Sequence, residues 1–457
     1  MRGFPSRPST SVLVALALAP VLAFGTVSTP AQAQDPLPPR AFAYATTVAP
    51  QVVLPAATKM KYAAPTGLRA KASARGADVV ALNWSFKTPG LHYQVQYATA
   101  ANFVGGKAII VKVASTAIGG LPTGARYYFR VRIVNSANKA VSGWSKAVTT
   151  GAQAPADSGA RPLQVASFNI RNWKRTGGGK WSVRGPLVAA TILSRRLDAV
   201  GLQEADFNKV GGINQIDSLL RMLNAKGAAY RVVVSGSAAT AGTRIIYNSA
   251  TVTPVWAGMR QLSTLAGDVK RYVVWAHFVQ NSTGRKFLFA TTHLVSNPKS
   301  VKTKKCSGAQ TKYYKKRKEQ AGQVVAEIKA RNTEGLPVIL TGDMNSHKVH
   351  CPNNAPYRVY AAAGLVDPLG NPDFSKTPVN PTAEVRIHSE WDTSNHYARK
   401  PVRHNIINGH HVDYVWVSKS IKTLEYEVVV KINDSTLKYV GTHPSDHNMV
   451  RASVLIP

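Results

Sequence analysis

From Pro162 to the C-terminus, short apolar runs recur between polar turns. LQVASFNI (163–170) reads as a buried strand, and DAVGLQEA (198–205) as a strand running into a loop. RVVVS (231–235), TRIIYN (243–248), RYVVWAHFV (271–279) and KFLFATTHL (286–294) are four more strand candidates. PVILTGDMN (337–345), HHVDYVWVS (410–418) and MVRASVLI (449–456) close the set. Two stretches have helical spacing: Leu187 to Leu197, and a face made of Ala321, Val324, Val325 and Ile328. About ten strands with few helices predict two packed sheets flanked by helices. Upstream, residues 63–150 show short alternating strands separated by turn signals, the pattern of an all-β sandwich. Its strands include VVALNW (79–84), HYQVQYA (92–98) and YFRVRIVN (128–135), followed by Gly143-Trp144-Ser145.

The segments between and before these units have a different texture. Residues 151–161 (GAQAPADSGAR) are small and turn-favouring, and residues 34–62 are rich in Pro and Ala without periodicity; both read as linkers. The first 33 residues carry Arg2 and Arg7, an uncharged and mostly apolar run from Val12 to Val27, and then Ala31-Gln32-Ala33. That order predicts a secretory signal cut after Ala33. Pro20 interrupts the run, which is shorter than the roughly 20 residues a membrane span needs. No later segment is long and apolar enough to anchor the chain. The protein is therefore expected to be secreted and extracellular, without a stable membrane anchor, and monomeric. Export makes disulfide chemistry available, and Cys306 and Cys351, the only cysteines, are expected to pair.

Composition narrows the partner. The 457 residues include 57 Lys and Arg against 22 acids, a formal net charge of +35. Hydrophobic residues make up 44% and charged residues 17%, which excludes wholesale disorder. The charge points to a polyanion: nucleic acid, an acidic polymer or an anionic membrane face. Residues 63–150 hold eleven basic residues and one acid, Asp78; residues 162–457 hold 40 basic and 19 acidic residues. Between Pro298 and Lys318 lie eight lysines, one arginine and no acid, with Tyr313 and Tyr314 among them. Basic residues interleaved with aromatics suit a phosphate backbone, and Lys302, Lys304, Lys305 and Lys315 are the candidate contacts. A solvated basic loop is the plainer reading of the same run.

Because acids are scarce, their positions carry weight. Asn169, Glu204, His293, Asp343, Asn345, Asp413, Asp446 and His447 all stand at the ends of apolar strands, where a rigid frame holds site residues. No Cys–His spacing suits structural zinc. Oxygen ligands suit Mg²⁺ or Mn²⁺, with Ca²⁺ a third option. A hard cation together with a His–Asp pair suits attack of water on a phosphate ester. Each residue alone has a plainer reading: Asn169 or Asp413 bonded to local backbone, Glu204 a solvated loop acid, His293 a core histidine, Asp446-His447 a turn. Gly177-Gly178-Gly179 before Lys180 reads as a flexible loop, since no Ser or Thr follows the lysine.

The ordered set SFNIR, GLQEA, TTHL, TGDMN, VDYVWV and SDH resembles the endonuclease/exonuclease/phosphatase (DNase I-like) superfamily over residues 162–457. The resemblance implies a four-layered α/β/β/α sandwich. It implies that Glu204 holds a metal with help from Asn169, and that His447, oriented by a carboxylate, is a general base or polarises the phosphate. It makes His293 a second catalytic histidine near the leaving oxygen, oriented by Asp413. Asp343 and Asn345 orient the nucleophile and bind phosphate, Asp446 binds metal or shapes the His447 loop, and Arg271 contacts phosphate. Asp206 departs from the pattern, which places a basic residue two positions after the glutamate. His411 stands where a basic residue is common, and His347 and His350 match no family position. Residues 63–150 resemble a fibronectin type III domain, an immunoglobulin-like sandwich, through Trp84, the Leu121–Tyr127 spacing and the late Gly-Trp-Ser. The resemblance makes Tyr127 a corner tyrosine whose hydroxyl bonds nearby backbone, and the domain a contact for an extracellular polymer or cell surface.

The resulting expectation is a secreted, metal-dependent phosphodiesterase acting on nucleic acid, DNA foremost. A sphingomyelinase-like enzyme of lipid headgroups is the second reading, and an adhesin with an inactive enzyme domain the third. Fold alone does not choose among them.

Overall fold

Apolar strands with both faces covered need two neighbours each, a sheet partner layer and a helix layer. The computed structural model shows how this chain meets that need. It describes residues 60–73, 78–85, 91–151, 161–207, 209–210, 212–233, 241–297, 308–347, 355–370, 381–402, 410–433 and 436–457. The signal segment, nearly all of both linkers, Lys302, Lys304, Lys305, His350, Cys306 and Cys351 lie outside the described residues.

The N-terminal part has seven strands: β1 (Arg69–Ala72), β2 (Val80–Asn83), β3 (His92–Ala98), β4 (Lys107–Val111), β5 (Ser115–Ile118), β6 (Arg126–Val134) and β7 (Val148–Gly151). They form two antiparallel sheets, β1-β2-β5 and β4-β3-β6-β7. Alternation along β3 and β6 sends Tyr93, Val95, Phe129, Val131 and Ile133 inward, where they meet Val80, Leu82 and Trp84. Trp84 packs edge-on against Tyr93, with ring centroids 5.4 Å apart. Tyr127 lies in this core beside Phe129 and Tyr97. Its ring is placed as expected, but its hydroxyl forms no hydrogen bond among the described residues, so packing rather than a corner bond holds it.

The larger part opens with β8 (Leu163–Asn169), α1 (Trp181–Leu193) and β9 (Ala199–Gln203). A short hairpin of β10 (Lys209–Val210) and β11 (Ile213–Asn214) leads into α2 (Gln215–Asn224), β12 (Tyr230–Val232) and β13 (Arg244–Asn248). Then come β14 (Val252–Leu262), β15 (Arg271–Gln280), β16 (Lys286–His293), α3 (Gly308–Arg331), β17 (Val338–Asp343), α4 (Ala355–Ala362) and β18 (Leu365–Val366). The chain ends with β19 (Val385–Ile387), β20 (Asp413–Ser418), β21 (Lys422–Val429), the hairpin β22 (Ile432–Asn433) and β23 (Lys438–Tyr439), and β24 (Met449–Leu455).

Two sheets result, β12-β13-β9-β8-β24-β21-β19 and β14-β15-β16-β17-β20-β18. Their facing sides share one core: Val165, Ala199, Val428 and Val450 from the first meet Phe278, Phe289, Ile339 and Val415 from the second. On the outer face of the first sheet, Phe168, Val200 and Leu202 pack under Val188, Ile192, Leu219 and Leu223 of α1 and α2. On the outer face of the second, Trp275, Leu288, Leu340 and Trp416 pack under Val324, Ile328 and Tyr360 of α3 and α4. The order of layers is thus helix, sheet, sheet, helix. Successive residues of β16 show why its sequence lacks alternation: Phe287 and Phe289 point to the sheet core, Leu288 and Ala290 to the helices.

Among the elements not read from the sequence, four have a clear physical reason. Pro254 and Gly258 interrupt β14, which is an edge strand with a bulge near Pro254, so the lost ladder bond costs little. In β21, Glu425 and Glu427 sit inside an apparently polar run because both bond the fully buried Arg451 of β24. The short helix α4 shows no clear apolar period, and α2 begins at Asn214, whose side chain accepts from Asp217 N. One correction concerns the basic run. Residues from Gly308 onward are helical, so Lys312 to Lys318 stand on the first turns of α3 rather than in a loop.

The two parts are in direct contact within the unit Lys59–Pro457. Ala81 and Ala117 of the small sheet pack on Val385 and Ile387. His388 N donates to Ser115 Oγ (2.9 Å), and Lys71 pairs with Glu384. Among the described residues, no helix is long and apolar enough to cross a membrane.

Candidate active site

Strand direction gathers the site. β8 and β9 run parallel, as do β16 and β17, so Asn169, Glu204, His293 and Asp343 all emerge at the same end of the two sheets. β15, β20 and β24 run antiparallel to their neighbours, which brings the starts of these strands, with Arg271, Asp413 and the preceding His447, to that same end. His293 and Asp343 are register partners, and so are Asp343 and Asp413. Just below, the sheet interface turns polar. Gln203 Nε2 donates to Thr291 Oγ1 (3.1 Å), and Gly201 leaves space for Thr291 and Thr341, whose hydroxyl oxygens would lie within 2.3 Å of any added Cβ.

Asp343 is the hub. Its Oδ2 accepts from Asn169 Nδ2 (3.1 Å) and lies 3.5 Å from His293 Nε2 and 3.9 Å from His447 Nε2. Its Oδ1 accepts from Asn345 N (2.8 Å). Burial, and then the neighbouring Asp413 carboxylate, push Asp343 up to about 7. Asp413 Oδ2 lies 2.9 Å from His447 Nδ1, so that nitrogen donates and Nε2 is the atom turned toward Asp343. Burial alone would depress His447, but Asp413, Asp343 and Asp446 together raise it to about 10. His293 moves the other way. Burial, with Arg271 and His447 nearby, holds it well below its usual range, so it is neutral.

This geometry corrects one expectation. Asp413 orients His447 and not His293; His293 faces Asp343 instead. The reason is register: Asp413 opens β20, beside the loop that delivers His447, whereas His293 ends β16 on the far side of β17.

Glu204 follows β9 with φ 56°, and Asn345 has φ 46°. Both are left-handed non-glycine residues, a backbone cost of about 1–3 kcal/mol each that the surroundings must hold in place. Glu204 Oε1 accepts from Asn169 Nδ2 (3.4 Å) and Oε2 from Asn172 N (3.0 Å). Asn345 Nδ2 donates to Leu294 O (3.0 Å), tying the exits of β16 and β17 together. Arg271 is buried at the start of β15, where Asp343 and Glu204 support a charge that burial disfavours. Asp446 forms an ion pair with Arg171, and its carbonyl accepts from Asn395 N and His396 N. These contacts brace the loop that carries His447.

Among the described residues, Asp343, Asp413 and His447 are the group of carboxylate and imidazole atoms close enough to share an ion. Glu204 stands outside that group and joins it through Asn169. The carboxylates fit a hard divalent cation: Asp413 Oδ1 is buried without a hydrogen-bond partner, and a cation beside Asp343 would offset the burial that disfavours its charged form.

Asp206, the departure from the expected motif, is buried and accepts from Asn172 Nδ2 (2.7 Å), so it braces the loop after β8. His411 is core: its Nε2 lies 2.9 Å from Ser389 O, and its ring stacks on Tyr426. His347 stacks on His410 at 4.3 Å. Lys315 is exposed on α3.

Sequence reasoning missed the residues that lock these loops. Thr393 Oγ1 accepts from both Val412 N and Asp413 N, and Asn395 Nδ2 donates to Ser445 O. Arg184 of α1 is fully buried and donates to Gly179 O, Ile170 O, Arg171 O and Pro444 O. The cluster Asp-Thr-Ser-Asn (392–395) was the one available signal, since such residues favour side-chain-to-backbone bonds. Nothing in the pattern of α1 marks Arg184. Beside the His447 loop, a cavity of about 520 Å³ opens between α1 and residues 429–449, lined by Leu187, Ala190, Lys431, Tyr439 and His443.

No family model and no curated protein matches the sequence. Solved structures do match. An endonuclease/exonuclease/phosphatase family protein from Bacteroides thetaiotaomicron is 22% identical, with 65% of this chain and 99% of that one covered and a TM-score of 0.48. A mannosyl-6-phosphatase from the same organism is 23% identical, covering 64% and 99%, with a TM-score of 0.47. The human Nocturnin catalytic domain, solved with bound sulfate, is 17% identical, covering 65% and 95%, with a TM-score of 0.44.

Proposed function

We propose that this chain is a secreted, divalent-metal-dependent phosphodiesterase that hydrolyses nucleic acid, DNA foremost. The observation that carries the reading is the Asp413–His447 pair converging with Asp343, His293, Asn169 and Glu204 at one sheet end. Glu204, with Asn169 beside it, would hold Mg²⁺ or Mn²⁺, which supplies Lewis-acid neutralisation of phosphate charge. His447, held protonated by Asp413, donates from Nε2 to a phosphoryl or leaving oxygen. Asp343, poised at about 7, accepts a proton from the attacking water. Neutral His293 and the Asn169 amide fix Asp343 and line the phosphate site, and Arg271 adds positive charge at its rim. The motif order read in the sequence supports the same assignment.

Charge supports a polymeric anion as substrate, and the basic stretch entering α3 directly follows His293 in the chain. The N-terminal sandwich is, on this reading, a fibronectin type III domain that contacts an extracellular polymer, and Cys306 pairs with Cys351.

Incubating the purified protein with plasmid and Mg²⁺ or Mn²⁺, with and without EDTA, tests the proposal. Nicking that EDTA abolishes is expected. Cleavage of sphingomyelin but not plasmid would overturn the substrate, and inertness toward both would leave a binding protein.

A further inference from the structure

The outward face of the four-stranded sheet carries an arrangement that the active site does not use. Gln94 and Gln96 of β3 stand opposite Arg132 and Arg130 of β6. Arg132 Nε donates to Gln94 Oε1 (2.7 Å), and Arg130 Nε donates to Gln96 Oε1 (2.8 Å). Both guanidinium groups lie over the ring of Trp144, at 4.3 and 4.4 Å from its centroid. Arg130 also lies 4.1 Å from the Phe103 ring. Each arginine is thus held by one hydrogen bond through Nε and by aromatic contact, which leaves its two terminal nitrogens as donors.

No carboxylate among the described residues pairs with either arginine. Asp78, the single acid of residues 63–150, accepts from Gly120 N beside the other sheet. The two arginines repel each other, and burial against the aromatic rings disfavours their charge. Lys112 adds a further cation along the same face, near enough to add to the lowering that burial imposes on His92. The contacts with β19 are made by the other sheet, so the arginine face is turned away from the larger part.

We propose that Arg130, Arg132 and Trp144 form an accessory binding surface for the phosphate backbone of single-stranded nucleic acid. Guanidinium forks with fixed planes bind phosphate oxygens in pairs, and holding them in advance lowers the entropy lost on binding. Two residues of a strand place the forks about 6.6 Å apart, a separation that neighbouring phosphates of an extended strand can match. The surface deepens the proposed hydrolase reading, on which its ligand class rests. It holds the polymer while the separate site cuts it.

The test uses the full-length protein in EDTA with a fluorescent single-stranded oligonucleotide, read by anisotropy across salt. Arg130→Gln/Arg132→Gln is expected to weaken binding tenfold or more. It should also flatten the slope of log K against log salt by about 1.4, at about 0.7 per lost phosphate contact. Arg130→Lys/Arg132→Lys should recover part of the affinity, and hydrolysis of a small chromogenic phosphodiester with metal should not change. An unchanged Kd and slope in the glutamine variant overturns the proposal. Should the variant melt early, hydrogen exchange on the wild-type protein decides. Oligonucleotide-dependent protection of residues 126–134 supports the surface, and its absence overturns it. Competition by polyglutamate as effective as by oligonucleotide overturns the nucleic-acid assignment. Binding through this face without plasmid cleavage would instead overturn the hydrolase reading alone.

Discussion

Asp343 is surrounded by groups that compete for its charge, and the competition has measurable consequences. Asp413 holds the His447 ring in one orientation and supports its positive charge, and an amide there would accept or donate without preference. Asp413→Asn is expected to fold normally and to lose roughly 10²–10⁴-fold in turnover, checked by plasmid nicking under metal saturation. The titrations also couple to stability. Asp343 is raised from 3.8 to about 7, so its protonated form favours the fold, and that contribution fades as pH rises between these values. His447 is raised from 6.5 to about 10, so its contribution is complete below 6.5 and fades toward 10. Both signs agree. In EDTA, urea denaturation should show the wild-type protein losing stability as pH rises from about 4 to 9, with a smaller loss below pH 7 in Asp343→Asn. Away from the site, Arg451 is fully buried against Glu425 and Glu427. Arg451→Leu leaves two buried carboxylates, one of them also bonded to Arg195, and should cost about 3–5 kcal/mol by urea denaturation.

Elements rather than single residues set the relation between the two parts of the chain. Every candidate site residue comes from residues 162–457, so that piece alone is expected to hydrolyse a short substrate. It is not, however, indifferent to the sandwich. β19 receives Ala81 and Ala117 on one side and runs on to Asp392, Thr393 and Asn395, which brace the Asp413 and His447 backbones. Removing residues 1–161 bares Val385 and Ile387 and frees Glu384 from Lys71. A melting temperature lower by several degrees, with hydrolysis of a small phosphodiester retained, is the expected result. Loss of all hydrolysis in a truncated protein that still melts cooperatively would make the sandwich part of the catalytic frame.

Over the whole molecule, +35 of formal charge acts on any polyanion before contact. The run from Pro298 to Lys318 follows the strand that ends in His293, and its second half is the helical start of α3. Replacing Lys302, Lys304, Lys305 and Lys315 with Gln should weaken duplex DNA binding. Each lost phosphate contact should flatten the salt slope by about 0.9. Hydrolysis of a small chromogenic ester should be unaffected, since the side chains around Asp343 are untouched. Unchanged DNA affinity would reduce the run to a solvated face.

The sequence by itself marked the polar residues that end apolar strands and where most of the long strands lie. Apolar runs ending in Asn169, Glu204, His293, Asp343 and Asp413 are local features, because burial of a strand and the polarity of its end are written in consecutive residues. It also determined the sandwich of residues 63–150, through alternation at positions such as Tyr93, Val95, Phe129 and Val131. Tertiary structure alone decided the pairing. Asp413 went to His447 because the start of β20 faces the loop preceding β24 across the two packed sheets, a matter of sheet packing that no spacing along the chain records. The burial of Glu425 and Glu427 depended on Arg451 in another strand, and the role of Arg184 on three loops meeting over α1. Hydrophobic period is a property of neighbours in sequence. The partner of a charged or polar side chain is a property of neighbours in space, and here those partners lie as much as several hundred residues apart, from Lys71 to Glu384 and from Arg171 to Asp446.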